Sequence, residues 1–236
     1  MRLDKLLSNM GFGSRKEVKK LLKSGGVRID GEPAKDGKEQ VNPDTSEVTV
    51  HGELVEYKPY IYLMLNKPQG VISATEDDQH RTVLDLLLEE HLIYDLFPVG
   101  RLDKDTEGML LITNDGKFSH SLMSPKRHVK KTYYAKIEGQ VTEEDIALFK
   151  QGVQLEDGYV TKPAELVMLS SGPTSEIELT ITEGKYHQVK RMFAAVGKHV
   201  TFLKRIAIGG LPMDEHLSVG ECRELTEEDK RVLFQE

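Results

Sequence analysis

The chain has 236 residues, 32 Lys+Arg against 39 Asp+Glu for a formal charge of −7, no Trp and a single cysteine, Cys222. That length suits one large domain or a small one plus a medium one, while one cysteine excludes a disulfide scaffold and a thiolate zinc site; with the eight His in no paired spacing, no metal is expected. No run approaches the ~20 apolar residues of a membrane span and the start carries Asp4 where a signal peptide needs an apolar core, so a soluble, cytoplasmic protein is expected.

Charge is unevenly spread. Residues 1–31 hold eight Lys/Arg against three Asp/Glu, and the other 205 hold 24 against 36, a basic head on an acidic body. A short helix is predicted from Leu3 to Met10, then a turn at Gly11-Phe-Gly13. Ser14-Arg-Lys-Glu17 reads as a capping box, with the Ser14 hydroxyl accepting the Glu17 N–H and Glu17 reaching back, so a second helix starts at Ser14. Val18, Leu21 and Leu22 form its apolar side, and Gly25-Gly26 ends it. A solvated helix face would account for the charge; so would a nucleic-acid contact, in which each cation on a phosphate releases counterions. On that second reading Arg2, Lys5, Arg15, Lys16, Lys19 and Lys20 are the candidate contacts. Two short helices followed by Val27-Arg-Ile-Asp-Gly31 and β-hairpins resemble, over about the first 50 residues, the small RNA-binding module named after ribosomal protein S-four. The resemblance implies a partner class and no chemistry.

Thr45 to Glu53 alternates as a strand, and the linker is placed in 55–59, giving domains 1–58 and 59–236. Strands are predicted at Tyr60 to Leu65, Gly108 to Thr113, Thr132 to Ile137, Glu176 to Thr182 and Val200 to Ile208. Helices are predicted at Thr82 to Glu90, Thr142 to Gln151, His187 to Val196 and Thr226 to Phe234. Irregular alternation of this kind argues for an α+β domain with a mixed, mainly antiparallel sheet. Nothing marks a large self-complementary apolar patch or a protein partner, which predicts a monomer.

The densest constellation is Gly100-Arg-Leu-Asp-Lys-Asp-Thr-Glu-Gly108 running on to Asp115-Gly116. Asp103, Asp105 and Glu107 imitate the first ligands of a calcium loop, but the twelfth position is Asn114 and a strand, Met109 to Thr113, stands where a helix should leave. Asp105 and Glu107 are therefore read as solvated turn residues. A second constellation, Glu183 to Gly197, is an amphipathic helix with Val189, Met192, Phe193 and Val196 on one side. Its first half carries Lys185, His187, Lys190 and Arg191, where the helix dipole disfavours cations. Something anionic should compensate, a bound phosphate or a carboxylate from elsewhere in the chain.

GRLDxxTxG followed by LLxTNDG, then Lys131-Thr-Tyr133, then EGxxHQVKRMF, is the ordered motif set of the RsuA-type pseudouridine synthases, and the chain resembles them over nearly its whole length. Further matching pieces are Asn66-Lys-Pro-Gln-Gly70, Thr82-Val83-Leu84, Thr161-Lys-Pro-Ala164 and Ile208-Gly-Gly210. The wording KYHQVKRMFAAVG with TKPA is most similar to members acting on small-subunit (16S) rRNA. The resemblance implies an isomerase that uses no cofactor and acts on 16S rRNA or a partly assembled small ribosomal subunit. It assigns Asp103 as nucleophile or base, Lys190 as its cationic partner, Tyr133 as the aromatic against the target base, and Ile181 as an aliphatic floor. Arg101 would fill the gap or hold phosphate when the uridine is flipped out; Lys67 and Lys131 would contact phosphate or support the scaffold, and Arg191 is a further candidate RNA contact. The competing expectations are a synthase acting on 23S rRNA and a noncatalytic RNA-binding or ribosome-assembly factor.

Overall fold

In the computed structural model, which describes residues 1–124 and 127–235, helix α1 (Leu3–Asn9) turns Leu3, Leu6 and Leu7 inward, and α2 (Arg15–Lys23) does the same with Val18 and Leu22. Helices of seven and nine residues are too short to hold alone in water, so the buried stripe stabilises them. Each apolar side chain fully buried contributes about 1.5–3 kcal/mol. The strands β1 (Val27–Ile29), β2 (Glu32–Pro33), β3 (Val48–Val50) and β4 (Glu53–Leu54) pair antiparallel in the order β2-β1-β3-β4. Val27, Val41, Val48 and Val50 close the core against the two helices. At the start of α2, Glu17 Oε2 accepts from the Ser14 N–H at 2.8 Å and from the Ser14 hydroxyl at 2.7 Å. The capping box expected at Ser14 and Glu17 is present, and the Ser14 hydroxyl additionally donates to the Glu17 carboxylate, whose charge strengthens that bond.

The chain divides into two compact units, Met1–Ile61 with Leu88–Asp95, and Tyr62–Leu87 with Leu96–Glu236. The second is built on nine strands: β5 (Tyr62–Lys67), β6 (Phe97–Val99), β7 (Glu107–Thr113), β8 (Lys131–Glu138), β9 (Glu165–Ser170), β10 (Thr174–Ile181), β11 (His199–Ile208), β12 (Leu211–Pro212) and β13 (Cys222–Glu224). Their order is β13-β5-β7-β11-β8-β10-β9, with β6 on β7 and β12 on β11. Within that sheet β7 and β11 run parallel and the other ladders antiparallel, the mixed, mainly antiparallel arrangement of an α+β domain. Gly108 to Thr113 is buried residue after residue, the unbroken apolar run of a central strand covered on both faces.

Among the described residues, the α-helices of this unit are α3 (Gly116–Met123), α4 (Glu143–Gln151), α5 (Gln188–Ala195) and α6 (Glu227–Val232). Phe149 of α4 and Phe193 of α5 meet at 5.0 Å, whereas Tyr62, Phe118 and Phe234 form an edge-to-face ladder at 4.8 and 5.9 Å. The helix expected over Thr82 to Glu90 is absent; two single 3-10 turns, Leu84–Leu86 and Glu89–His91, take its place. Asp85 folds back to accept from the Thr82 N–H at 2.7 Å, and Leu88 is exposed, so an apolar helix face there would have nothing to cover. The helix α3 and strand β9 were not anticipated. Asp115 caps α3, accepting from the N–H groups of Lys117 and Phe118 at 2.9 and 3.1 Å. Among the described residues no helix is long and apolar enough to cross a membrane.

Candidate active site

Asp103 sits in the loop joining β6 to β7, and two buried side chains, Lys67 at the end of β5 and Ser73 beyond it, hold that loop. Ser73 Oγ accepts from the Leu102 N–H and donates to the Leu102 carbonyl, both at 3.0 Å. Lys67, fully buried, donates from Nζ to the carbonyls of Thr106 at 2.9 Å and of Asp103 and Pro68 at 3.0 Å. Burial pulls the Lys67 ammonium down to about 8, against the opposing pull of Asp105, Asp103 and Glu107. The Gly70 N–H adds a bond to the Lys104 carbonyl at 2.8 Å. With its neighbours pinned at backbone level, the Asp103 carboxylate is presented at a fixed place with its side chain 28% exposed.

The cations come from the start of α5. Lys190 Nζ lies 3.2 Å from Asp103 Oδ2 and 2.6 Å from Asp105 Oδ1. Asp105 is therefore no idle turn residue, although its side chain is 68% exposed, and Glu107 is the first residue of β7. Burial alone would lower the Lys190 pKa; the bond to Asp105 and the charge of Asp103 together hold it above its ordinary value. Burial would likewise raise Asp105, yet Lys190 outweighs it and keeps that carboxyl below the usual range. His187, which sequence reasoning left without a role, places Nε2 3.6 Å from Asp103 Oδ1. It caps α5 in the left-handed region with φ 48°, a conformation uncommon outside glycine that tertiary contacts must enforce. The misplaced positive charge on α5 is answered by carboxylates of the chain: Asp103 and Asp105 for Lys190, Glu156 and Asp157 for Arg191.

Arg101, Asp103, Tyr133, Ile181 and His187 all line one cleft, with Thr106 and Leu203 among its other walls. Tyr133 on β8 faces it because β8 alternates, burying Lys131, Tyr133, Ala135 and Ile137. Tyr134 consequently faces the other way, lining a separate depression with Phe202 and Lys204. Ile181 ends the buried series Ile177, Leu179, Ile181 of β10. Arg101 is exposed at the mouth.

Other expected residues lie elsewhere. The Arg191 guanidinium is occupied within the chain, 2.6 Å from Glu156 and 2.5 Å from Asp157, so in this structure it is paired with carboxylates. Lys131 is buried, donates to the Val129 carbonyl at 3.3 Å and is pulled down to about 8 by burial and by Arg205, so it supports the scaffold. Lys67 does the same, and phosphate contact is excluded for both by their burial. In the first unit Arg2 pairs with Asp4, while Lys5, Arg15, Lys16, Lys19 and Lys20 are exposed.

Comparison with known proteins places this geometry. The family pattern described as RNA pseudouridylate synthase matches residues 61–195, and that described as S4 domain matches residues 1–45. The chain is 59% identical over 235 residues to the "Uncharacterized RNA pseudouridine synthase YtzG" of Bacillus subtilis, covering 99% of this chain and 98% of that one. It is 42% identical over 230 residues to the ribosomal small subunit pseudouridine synthase A of Escherichia coli, covering 97% and 98%. A crystal structure of a pseudouridylate synthase, 38% identical, superposes with a TM-score of 0.69 over 99% of both chains.

Proposed function

The chain belongs to the RNA pseudouridylate synthase family, and from that premise we propose that it isomerises a uridine to pseudouridine in small-subunit (16S) ribosomal RNA. The substrate on this reading is 16S rRNA, free or in a partly assembled small subunit, in the cytoplasm. Residues 1–58 serve as the RNA-binding domain and residues 59–236 as the catalytic one. The relatives named for the small ribosomal subunit, aligned over nearly the full length, support the choice of RNA.

The reaction breaks the bond between uracil N1 and ribose C1′ and forms one between C5 and C1′; C5 gives up a proton and N1 takes one, so no atom is gained or lost. Such chemistry needs an ionised carboxylate beside the sugar, a cation that keeps it ionised, and a slot that retains the freed base. In the proposal Asp103 is that carboxylate, acting as nucleophile or base, and Lys190 holds it charged with His187 close by. Tyr133 lies against the base and Ile181 forms the floor. A base within a stack is out of reach and must be extruded at a cost of a few kcal/mol. Arg101, exposed at the mouth, is suited to hold the phosphate or the gap left behind.

One observation carries the reading: Asp103, Tyr133 and Ile181, from three separate segments, line one cleft, and Lys190 from a fourth reaches the Asp103 carboxylate at 3.2 Å. The test is to map pseudouridine by carbodiimide-stop primer extension in rRNA from a strain lacking the gene, then restore the strain with wild type or with Asp103→Asn. One stop in 16S rRNA should vanish with the gene, return with wild type and stay absent with the variant. A missing stop in 23S rRNA would redirect the target, no missing stop would favour a binding factor, and an active Asp103→Asn would remove the assigned role.

A further inference from the structure

Tyr186 is the most exposed large apolar or aromatic side chain among the described residues, at 77%. Its ring is not loose. It stacks on His187 with centroids 3.8 Å apart and planes 18° from parallel, and His187 in turn lines the cleft beside Asp103. The loop that displays it is tied at several points: Arg191 Nη1 donates to the Tyr186 carbonyl at 3.4 Å, and its guanidinium is anchored by Glu156 and Asp157. Gln188 Oε1 accepts from the Lys185 N–H at 2.9 Å, while its Nε2 donates to Glu183 at 2.9 Å. The left-handed His187 completes this immobilisation.

A flat aromatic with one face on an imidazole and most of its surface in water, between the cleft-lining residues Lys185 and His187 in sequence, suits a second flat ring. The preceding residue, Lys185, is exposed, has no salt bridge to a carboxylate among the described residues, and holds its ammonium 4.9 Å from the centroid of the Tyr159 ring. An exposed aromatic face with a lysine next to it in sequence is the pairing that binds single-stranded nucleic acid, bases on the ring and backbone on the charge. Extruding a uridine also deprives its neighbour of a stacking partner, which an exposed, immobilised ring next to the cleft residue His187 can replace.

We propose that Tyr186 is a stacking platform for the nucleotide adjoining the extruded uridine, an inference that rests on the proposed function. It is distinct from Tyr133, which faces the target base itself. The experiment is steady-state kinetics on a 16S rRNA transcript labelled with tritium at uridine C5, following tritium release by wild type, Tyr186→Ala and Tyr186→Phe. Loss of the ring should raise KM about tenfold, as removal of one base–aromatic stack does, with kcat within about twofold; Tyr186→Phe keeps the ring and should match wild type in both constants. A KM for Tyr186→Ala within about twofold of wild type overturns the platform. So does a defect confined to kcat, or a Tyr186→Phe as impaired as Tyr186→Ala, which would point to the hydroxyl. If wild type releases no tritium from any rRNA, the proposed function fails and the platform falls with it; an active wild type with an unaffected Tyr186→Ala sinks the platform alone.

Discussion

The Lys67 ammonium donates to the backbone carbonyl of Asp103 at 3.0 Å from a fully buried position. Its role is to position the loop, since it touches carbonyls rather than the cleft. Lys67→Met keeps the volume and removes the donor, stranding the carbonyls of Pro68, Asp103 and Thr106. The expected cost is about 1–3 kcal/mol in urea unfolding for buried acceptors left unpaired. Turnover should fall at least about tenfold, because misplacement of a reacting group by a fraction of a bond length is costly. Unchanged turnover in a folded Lys67→Met would show that the loop holds itself.

Lys67 and Lys131 also set a pH dependence, since burial pulls both down to about 8 from an ordinary 10.5. Between those values the unfolded chain retains protons that the folded chain has released, so stability rises with pH through that window. Activity should move the other way, as Lys67 loses the charge that strengthens its bonds to the loop. Lys190, held above its ordinary value, stays charged throughout. Urea unfolding and turnover measured in parallel from about pH 7 to about pH 10 should therefore diverge. If both declined together above about pH 8, burial of these lysines would not be the cause.

Lys190 bridges two carboxylates, and removing it exposes what each owes to the other. In Lys190→Met the burial that tends to raise Asp105 loses its strongest opponent and only a backbone hydrogen bond and His187 still lower the group, so its carboxyl should titrate higher than in wild type by carbon-detected NMR. The wild-type bond stabilises the fold above that ordinary value and the contribution disappears as pH falls through the lowered one; the variant lacks this acid-side loss. Exposure of Asp105 keeps the effect small. Asp105→Asn, in contrast, leaves Lys190 to Asp103 alone and should cost turnover less than about tenfold.

The cations of α2 predict a salt dependence. Arg15, Lys16, Lys19 and Lys20 are all exposed, and each phosphate neutralised contributes about 0.9 to the slope of log affinity against log salt on duplex and about 0.7 on single strands. A fourfold Gln variant, measured by filter binding to rRNA at several salt concentrations, should lose roughly two to four units of slope. A solvated face with no RNA contact would leave slope and affinity as they were.

What could be read from the chain followed burial. Val18 and Leu22, the run Gly108 to Thr113 and the series Ile177, Leu179, Ile181 announce their elements because one face or both are sealed from water. Thr82 to Glu90 misled because its leucines imitate a helix while Leu88 finds nothing to pack on. The strand β9 was hidden because it lies at the sheet edge, with Val167 and Leu169 exposed. Beside the cleft, the need for an anion near Lys190 and Arg191 was legible from the helix dipole, though not whether a phosphate or a carboxylate would meet it. Nor was it legible which carboxylates: Glu156 and Asp157 precede Arg191 by more than thirty residues, and only the folding of the sheet brings them there. His187 and Ser73 escaped for the same reason, since their partners Asp103 and Leu102 are distant in sequence.

Gly108 shows how the sheet constrains the site. It pairs with Arg205 where β7 and β11 run parallel, five residues after Asp103, with φ +100°. A Cβ there would lie 2.2 Å from the Arg205 carbonyl oxygen and 2.8 Å from its nitrogen, both backbone atoms at the centre of the sheet. No side chain can swing aside to relieve the overlap, so Gly108→Ala must part the two strands or bend β7, besides forcing an alanine into a region it avoids. Either movement disturbs the Arg205 Nε bond to the Met109 carbonyl, 2.7 Å in the intact protein. The expected loss in urea unfolding is about 3 kcal/mol or more. Gly116→Ala is the contrast: it opens α3, its Cβ would meet nothing within 4 Å, and it should stabilise by up to about 1 kcal/mol through reduced freedom of the unfolded chain. Equal effects at the two glycines would mean that β7 and β11 approach less closely than they do here.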